Sequence, residues 1–208
     1  MPKKVLQLML FLLLPIFIQL NALPMIGKSG NIVFSLIMFG VILYVLMRII
    51  KKYKLPLIRR KFDWRALLLT IFLTVICEVI SLLLNYLNQL VTKTQPDPLI
   101  MARLSNKSIW IIIVTMLTIN ITGPILEELT MRGIIFQYSA DIFNSRIVGA
   151  IISSIVFALL HDEGIILSIN YFITSILLTF IFEKTKNIYS NILSHQLLNV
   201  ISTILFFL

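Results

Sequence analysis

Long apolar segments, separated by short connections that carry most of the charge, constrain this chain more than any other feature. A helix needs about 20 apolar residues to cross the hydrocarbon core of a bilayer, and the 208-residue chain has several such segments. With 59% hydrophobic and 13% charged residues, it belongs to the polytopic membrane class, not the soluble globular one. No strand-like alternation of apolar and polar residues is evident. We therefore predict an all-α, polytopic membrane helical bundle, with residues 1–208 forming one integral membrane domain of about seven transmembrane helices.

The predicted spans follow from the apolar segments and the polar or turn-forming residues between them. They cover residues 5–23, 32–50, 64–87, 109–138, 146–161, 165–182 and 188–208. The fourth is too long for one simple span and contains Gly123 and Pro124, so we expect either a long tilted helix or a helix broken at that dipeptide. The first shares features with a signal peptide, but its length and the spans that follow favour a retained helix.

The net charge of +9 comes from basic residues that gather between the spans. Such residues favour the cytoplasmic side of a membrane. Seven spans with a cytoplasmic N-terminus leave only Lys28, Lys93, Arg103 and Lys107, of the 18 Lys and Arg residues, on the other side. We therefore predict a multi-pass protein of a bacterial cell membrane that contacts the lipid bilayer and does not bind nucleic acid. The cluster of basic residues after the second span fits topology better than a specific site for anionic lipid or substrate.

Three charged residues lie close together within the fourth span, namely Glu127, Glu128 and Arg132. Charges at membrane depth cost several kcal/mol each and usually face a protein interior. Glu128 and Arg132 are four residues apart and share a helix face, which predicts an ion pair between them. Glu127 points away from Arg132, towards the face thinned by Gly123 and Pro124. There we expect an open polar notch and a backbone carbonyl freed near Asn120.

Each of two histidines in later spans lies four residues from a second conspicuous side chain, so that each pair shares a helix face. Phe157 and His161 form one pair, and His195 and Asn199 form the other. The last span also carries a polar stripe, which should face the bundle interior or a water-filled cavity. Its members are Asn191, His195, Asn199 and Ser202.

Several of these polar residues come from distant parts of the sequence but fall at similar depths. Counted from the predicted cytoplasmic loops at about 1.5 Å per residue, Glu127, His161 and Asn199 lie roughly 18 to 23 Å deep, and Glu78 roughly 20 Å deep. His195 lies about one turn nearer the cytoplasm, at roughly 13 Å. The sequence therefore predicts one polar layer within the bundle, with Glu78 as a buried partner or a protonated acid at its edge.

Such a layer contains the groups that hydrolysis of a peptide bond requires. A carboxylate in apolar surroundings can take a proton from water, and an imidazole can share that proton or, with a second imidazole, hold a metal ion. A second imidazole and an amide can donate hydrogen bonds to an oxyanion. No Ser or Cys has an evident base beside it, and no HExxH motif occurs. A covalent nucleophile and a zinc site of the soluble-protease type are therefore not favoured.

Three motifs follow one another along these spans: Glu127-Glu128-x-x-x-Arg132, then Phe157-x-x-x-His161, then His195-x-x-x-Asn199. Their order and spacing resemble those of the CPBP family, the intramembrane CAAX proteases and bacteriocin-processing enzymes. The resemblance covers about residues 127–199, within the segment 109–208 that carries the catalytic-motif helices. It implies an intramembrane endopeptidase, of metallo- or glutamate type, that cleaves a peptide or membrane-anchored protein substrate in peptide maturation or bacteriocin self-immunity.

The resemblance also implies roles for individual residues. Glu127 would be the general base that activates water, assisted by His161, and His195 and Asn199 would stabilise the tetrahedral intermediate. Family members are also described as metalloproteases, so zinc is a candidate cofactor, and His161 and His195 would be its ligands if it is bound.

Glu128, Arg132 and Phe157 are expected to support the site. Glu128 and Arg132 would form the structural ion pair that their spacing indicates, and Phe157 would pack over the face of His161.

Two alternatives use the same residues differently. One is a non-proteolytic immunity or interaction protein that retains the fold. The other is a small proton-coupled transporter in which Glu78 and Glu127 form a proton relay. A transporter of that kind would show inverted repeats with paired broken helices, whereas the sequence shows one break, at Gly123-Pro124. Cleavage assays on the purified protein distinguish the three classes.

Overall fold

A computed structural model of the chain describes residues 2–18, 31–92, 108–161 and 164–207, which form seven helices. The helices are α1 (Pro2–Phe17), α2 (Ile32–Lys52), α3 (Trp64–Thr92), α4 (Ile109–Phe143), α5 (Arg146–Leu160), α6 (Ile165–Thr185) and α7 (Ile188–Phe207). Within these ranges, β-type pairing is limited to one bridge between Ile58 and Asn187. The prediction of an all-α membrane bundle is confirmed.

Four helices, α2, α3, α4 and α6, are long and apolar enough to cross a membrane by length and composition, and α5 is a shorter apolar helix. Large apolar side chains cover the outside of the bundle; for example, Val33, Phe72 and Leu159 are 62%, 62% and 71% exposed. A surface of this kind is compatible with lipid and not with water. The predicted connections at residues 24–30 and 93–107, and the turn at Asp162 and Glu163, lie outside the described residues.

Short polar residues at the connections explain where several helices begin and end. Asn31, Asp63 and Ser145 precede α2, α3 and α5, and each accepts a hydrogen bond from a main-chain N–H in the first turn. This is the usual way to satisfy N–H groups that have no partner within the helix. Asn144 and Lys186 adopt left-handed conformations, with φ of 47° and 54°, and terminate α4 and α6.

Helix α4 lies at the centre of the bundle and is not a regular α-helix. It contains two π-helical segments, Thr118–Thr122 and Leu129–Phe136. All eight residues of the second segment are buried, and this segment contacts α1, α2, α5, α6 and α7. Of the two predicted alternatives for this span, the continuous long helix is observed. The chain passes through Gly123 and Pro124 without a break, because the π-helical turn before them absorbs the irregularity.

The basic connection between α2 and α3 is docked onto the turn between α6 and α7. The main-chain N–H of Arg59 donates to the carbonyl of Lys186 at 2.8 Å, and the N–H of Ile188 donates to the carbonyl of Leu57 at 3.0 Å. These contacts put both connections at the same end of the bundle, so α3 and α7 leave it in the same direction. The predicted topology also places the two connections on one side. That this side is cytoplasmic stays a prediction.

Candidate active site

Two adjacent carboxylates lie inside the bundle, between the two π-helical segments of α4. Glu127 and Glu128 end the short α-helical segment Gly123–Glu128 that joins the π-helical segments. Their side chains are 10% and 0% exposed. Because π-helical turns redirect side chains and are frequent at functional sites, this irregular part of α4 is the natural place to look for chemistry.

Glu128 is saturated with hydrogen bonds. Its Oε1 accepts from Arg132 Nη1 at 2.9 Å and lies 2.8 Å from Nδ1 of His195, and its Oε2 accepts from Asn191 Nδ2 at 3.2 Å. The structure thus contains the Glu128–Arg132 ion pair that the spacing predicts. A buried carboxylate held by this many donors is fixed in place as an anion.

Arg132 connects this carboxylate to α6. Its Nη2 donates to both the main-chain carbonyl and the hydroxyl of Ser175, each at 2.8 Å, and its guanidinium lies 5.5 Å from the ring centre of Phe157. No feature of the sequence distinguishes Ser175. One buried Ser within an apolar span is too common a feature to mark it.

His195 lies between the two carboxylates. While Nδ1 faces Glu128, Nε2 lies 3.7 Å from Oε2 of Glu127. That second distance is too long for a hydrogen bond. Glu127 is therefore close to an imidazole but not hydrogen-bonded to it.

Aromatic rings surround the other histidine. His161 follows the last residue of α5, and its Nδ1 lies 2.9 Å from the carbonyl of Phe157. Its ring centre lies 4.5 Å from that of Phe157 and 4.3 Å from that of Tyr171 on α6. Phe157 also contacts His195, with ring centres 5.9 Å apart. Phe157 therefore packs against both histidines, and Tyr171 is a neighbour of His161 that the sequence analysis missed.

Asn199 lies one turn after His195, and its Nδ2 donates to the main-chain carbonyl of Ile119 at 2.8 Å. The predicted polar stripe on α7 ends there. Ser202 is exposed, as are Ile204 and Leu205, whereas Thr203 between them is half-buried. Of the predicted stripe, Asn191 and His195 therefore face the bundle interior and Asn199 is half-buried, whereas Ser202 does not face the interior.

The predicted notch beside Glu127 is narrower than expected. A Cβ atom added to Gly123 would lie 3.7 Å from Oε1 of Glu127, so this glycine does border the carboxylate. It would also lie only 2.7 Å from the carbonyl oxygen of Thr118. The carbonyl of the π-helical turn thus fills the space at Gly123, and only glycine fits there.

Glu78 belongs to a different polar group, on α3. It is 7% exposed, and its Oε2 has no hydrogen-bond partner among the described residues. On the same helix, Thr74 lies 2.6 Å from the hydroxyl of Ser194 on α7, next to His195 in sequence. Glu78 therefore lies on the part of α3 that packs near α7. Among the described residues, no hydrogen bond joins it to Glu127.

A zinc ion in a protease site usually takes three protein ligands. Among the described residues, no three His, Cys, Asp or Glu side chains gather closely enough to hold a metal ion. Glu127 and Nε2 of His195 offer two donors, whose atoms lie 3.7 Å apart. This part of the chain does not fit a three-ligand zinc site.

Comparison with known protein families gives a match that covers the motif-bearing helices. The family model described as type II CAAX prenyl endopeptidase Rce1-like matches residues 99–201. That segment contains α4, α5, α6 and most of α7, together with every residue of the three motifs. No curated protein and no solved structure matches the chain.

Proposed function

Because the chain belongs to the Rce1-like family of CAAX endopeptidases over residues 99–201, we propose that it cleaves a peptide or membrane-anchored protein substrate with a water molecule activated by Glu127. The general activity, proteolysis by a membrane protein, follows from the family. The substrate, the activating residue and the independence from metal are the proposal.

The observation that supports Glu127 as the base is the contrast in hydrogen bonding between the two carboxylates. Glu128 is hydrogen-bonded by Arg132, His195 and Asn191, whereas Glu127, although also buried, lies 3.7 Å from one imidazole nitrogen and is not hydrogen-bonded to it. A general base must be able to accept a proton. Of the two, Glu127 alone meets that requirement.

In the proposed reaction, Glu127 takes a proton from water while the water oxygen attacks the carbonyl carbon of the scissile peptide bond. The carbonyl oxygen becomes an oxyanion. Two donors on α7 stabilise it. One is the second N–H of the Asn199 amide, because only one of the two is needed for the bond to Ile119. The other is Nε2–H of His195 as an imidazolium, because Nδ1–H already donates to the Glu128 carboxylate. The C–N bond then breaks, and the proton held at Glu127 passes to the leaving amine.

His161 is proposed to assist this proton transfer. The contact of its Nδ1 with the Phe157 carbonyl orients the imidazole, and the rings of Phe157 and Tyr171 restrict it further. These contacts fix the direction in which the imidazole points. Phe157 links the orientations of His161 and His195, since its ring contacts both.

The decisive experiment substitutes Glu127 by Gln in the full chain, reconstituted with a fluorogenic peptide on a lipid anchor. Gln keeps the shape of the side chain and loses its basicity. We expect cleavage to fall at least about 1,000-fold, as losing a base and its charge together would require, while the protein stays folded. Glu183→Gln is the matched control, because Glu183 pairs with Arg146 and Lys186 away from the site.

The same assay with a chelator, and then with zinc added back, tests the metal. We expect no change in rate from either treatment. Loss of cleavage on chelation with recovery on zinc would replace the glutamate mechanism with a metal-dependent one. Cleavage by the Glu127→Gln variant at the wild-type rate would overturn the role of Glu127. Absence of cleavage by the wild-type protein on peptide and lipid-anchored substrates would favour the non-proteolytic alternative.

A further inference from the structure

The carbonyl of Ile119 has neither the main-chain donor that an α-helix would provide nor the one that a π-helix would provide. In an α-helix its donor is the N–H four residues on, at Gly123, but that N–H donates to Thr118 instead. In a π-helix its donor is the N–H five residues on, and that residue is Pro124, which has none. A carbonyl left unpaired inside a membrane protein is costly.

The side chain of Asn199 supplies the missing donor. Its Nδ2 lies 2.8 Å from the oxygen of Ile119, the distance of a good N–H···O bond. We propose that Asn199 is a positioning residue for the first π-helical segment of α4: its amide replaces the N–H that Pro124 lacks and thereby holds in place the turn that leads to Glu127.

A second contact one turn along α7 supports the same function. The hydroxyl of Thr203 donates to Oδ1 of Asn120 at 3.3 Å, and the amide of Asn120 donates back to the carbonyl of Met116 at 3.1 Å. Asn199 and Thr203 share a face of α7 because they are four residues apart. Helix α7 thus holds two consecutive residues of the π-helical segment, one through its backbone and one through its side chain.

The consequence for Glu127 follows from how close this segment lies to it. A Cβ atom on Gly123 would be 2.7 Å from the carbonyl oxygen of Thr118 and 3.7 Å from Oε1 of Glu127. If the segment returned to α-helical geometry, the residues before Gly123 would rotate relative to Glu127. The carboxylate would then face a different surface. Asn199 therefore acts on Glu127 through the backbone, besides any donation to the oxyanion.

This inference rests on the proposed function only in taking Glu127 as the base; the hydrogen-bond exchange itself is tested without substrate. Replacing Pro124 by Ala restores a main-chain N–H. In either register the Ile119 carbonyl then has a backbone donor, from residue 123 in an α-helix or from residue 124 in a π-helix. The Asn199 amide becomes redundant, so the effects of substituting Pro124 and Asn199 on stability must be coupled.

The experiment measures the thermal unfolding of the full-length protein in detergent for wild type, Asn199→Ala, Pro124→Ala and the double variant. We expect Asn199→Ala to lower Tm by about 3 to 8 °C when residue 124 is Pro, and by less than about 1 °C when it is Ala. Ser202→Ala, an exposed position on the same helix, is the control and should leave Tm unchanged.

Equal losses of Tm in the two backgrounds would overturn the proposal. If Asn199→Ala alone fails to fold, recovery of folded protein in the double variant supports the proposal, and failure of the double variant as well overturns it. Cleavage assays then separate the two roles of Asn199. Pro124→Ala and the double variant differ only at Asn199, so slower cleavage by the double variant, with a lower kcat and unchanged KM, shows that the second N–H is needed in the transition state. Equal cleavage by the two shows that Asn199 acts through the backbone alone. Absence of cleavage in the wild type would refute the protease proposal and leave the stability coupling intact.

Discussion

The two sides of α4 at Glu127 and Glu128 show what the same functional group does in two surroundings. On one side, Glu128 is fully buried and binds Arg132, His195 and Asn191. On the other, the side chain of Glu127 is 10% exposed, and its Oε2 lies 3.7 Å from Nε2 of His195. The first arrangement fixes a charge for the sake of the fold. The second leaves a carboxylate beside an imidazole without a hydrogen bond to it, as the proposed role of Glu127 as a base requires.

His195 connects these two surroundings. Because Nδ1 is held by Glu128, its ring cannot turn, and Nε2 is thereby aimed at Glu127. Fixing one nitrogen of an imidazole with a carboxylate is a common way to orient the other. Under the proposed mechanism, Glu128 therefore orients the imidazole beside Glu127 without contacting the substrate.

The largest expected effect comes from Glu128→Gln, which removes the charge that neutralises Arg132. Removing one partner of a buried ion pair costs about 3 to 5 kcal/mol, which lowers Tm by about 10 °C or more in a chain of this length. We expect Glu127→Gln, one residue earlier, to change Tm by less than about 2 °C. Thermal unfolding of the two purified variants measures the contrast. Similar losses of Tm would show that the two carboxylates do not differ as the structure indicates.

A smaller loss is expected from Arg132→Lys, which keeps the charge and removes the fork. A Lys ammonium cannot bind Glu128 and both oxygens of Ser175 in the same geometry, so we expect a loss of about 2 to 3 kcal/mol from unmade hydrogen bonds. Arg146→Lys is the matched control. Arg146 pairs with Glu183 where both side chains are partly exposed, and such pairs contribute little. If Lys at the two positions causes equal losses of stability, the fork of hydrogen bonds made by Arg132 does not contribute to stability.

The helical period predicted the intrahelical part of the site correctly. The Glu128–Arg132 pair and the shared face of His195 and Asn199 depend only on residues four apart on one helix. The membrane class was equally predictable, because long apolar segments have few other uses.

Contacts between helices could not be predicted in this way. The donation from Arg132 to Ser175 depends on how α6 docks onto α4, and a period along one helix carries no information about that. Pro124 did mark an irregular turn, and the freed carbonyl is that of Ile119, next to Asn120 as predicted; that a side chain of α7 fills the place of the missing donor was not predictable. The exposure of Ser202 likewise depends on where neighbouring helices end.

The smallest effect on stability is expected for a solvated carboxylate outside the bundle, in contrast to the two inside it. Asp63 precedes α3 in the basic connection, and its Oδ1 accepts the main-chain N–H of Ala66 at 2.8 Å. That hydrogen bond, with Arg60 nearby, holds the pKa of Asp63 below its usual value. Asn is also a good residue at the start of a helix, so Asp63→Asn removes the charge and keeps the cap. We expect only a slight loss of Tm at neutral pH.

The pH dependence of that loss identifies its cause. Because the folded protein binds the proton of Asp63 less tightly than the unfolded chain does, the charge stabilises the fold at pH values above the ordinary pKa of about 4. The contribution disappears as the pH falls through the lowered pKa of the folded state. The difference in Tm between wild type and Asp63→Asn should therefore be constant near neutrality and vanish in acid, which unfolding curves of the two proteins between pH 7 and about pH 3 would reveal. A difference that persists unchanged in acid would mean that the charge of Asp63 is not its source. The difference in stability between the two proteins would then come only from the hydrogen bond that residue 63 accepts from the N–H of Ala66.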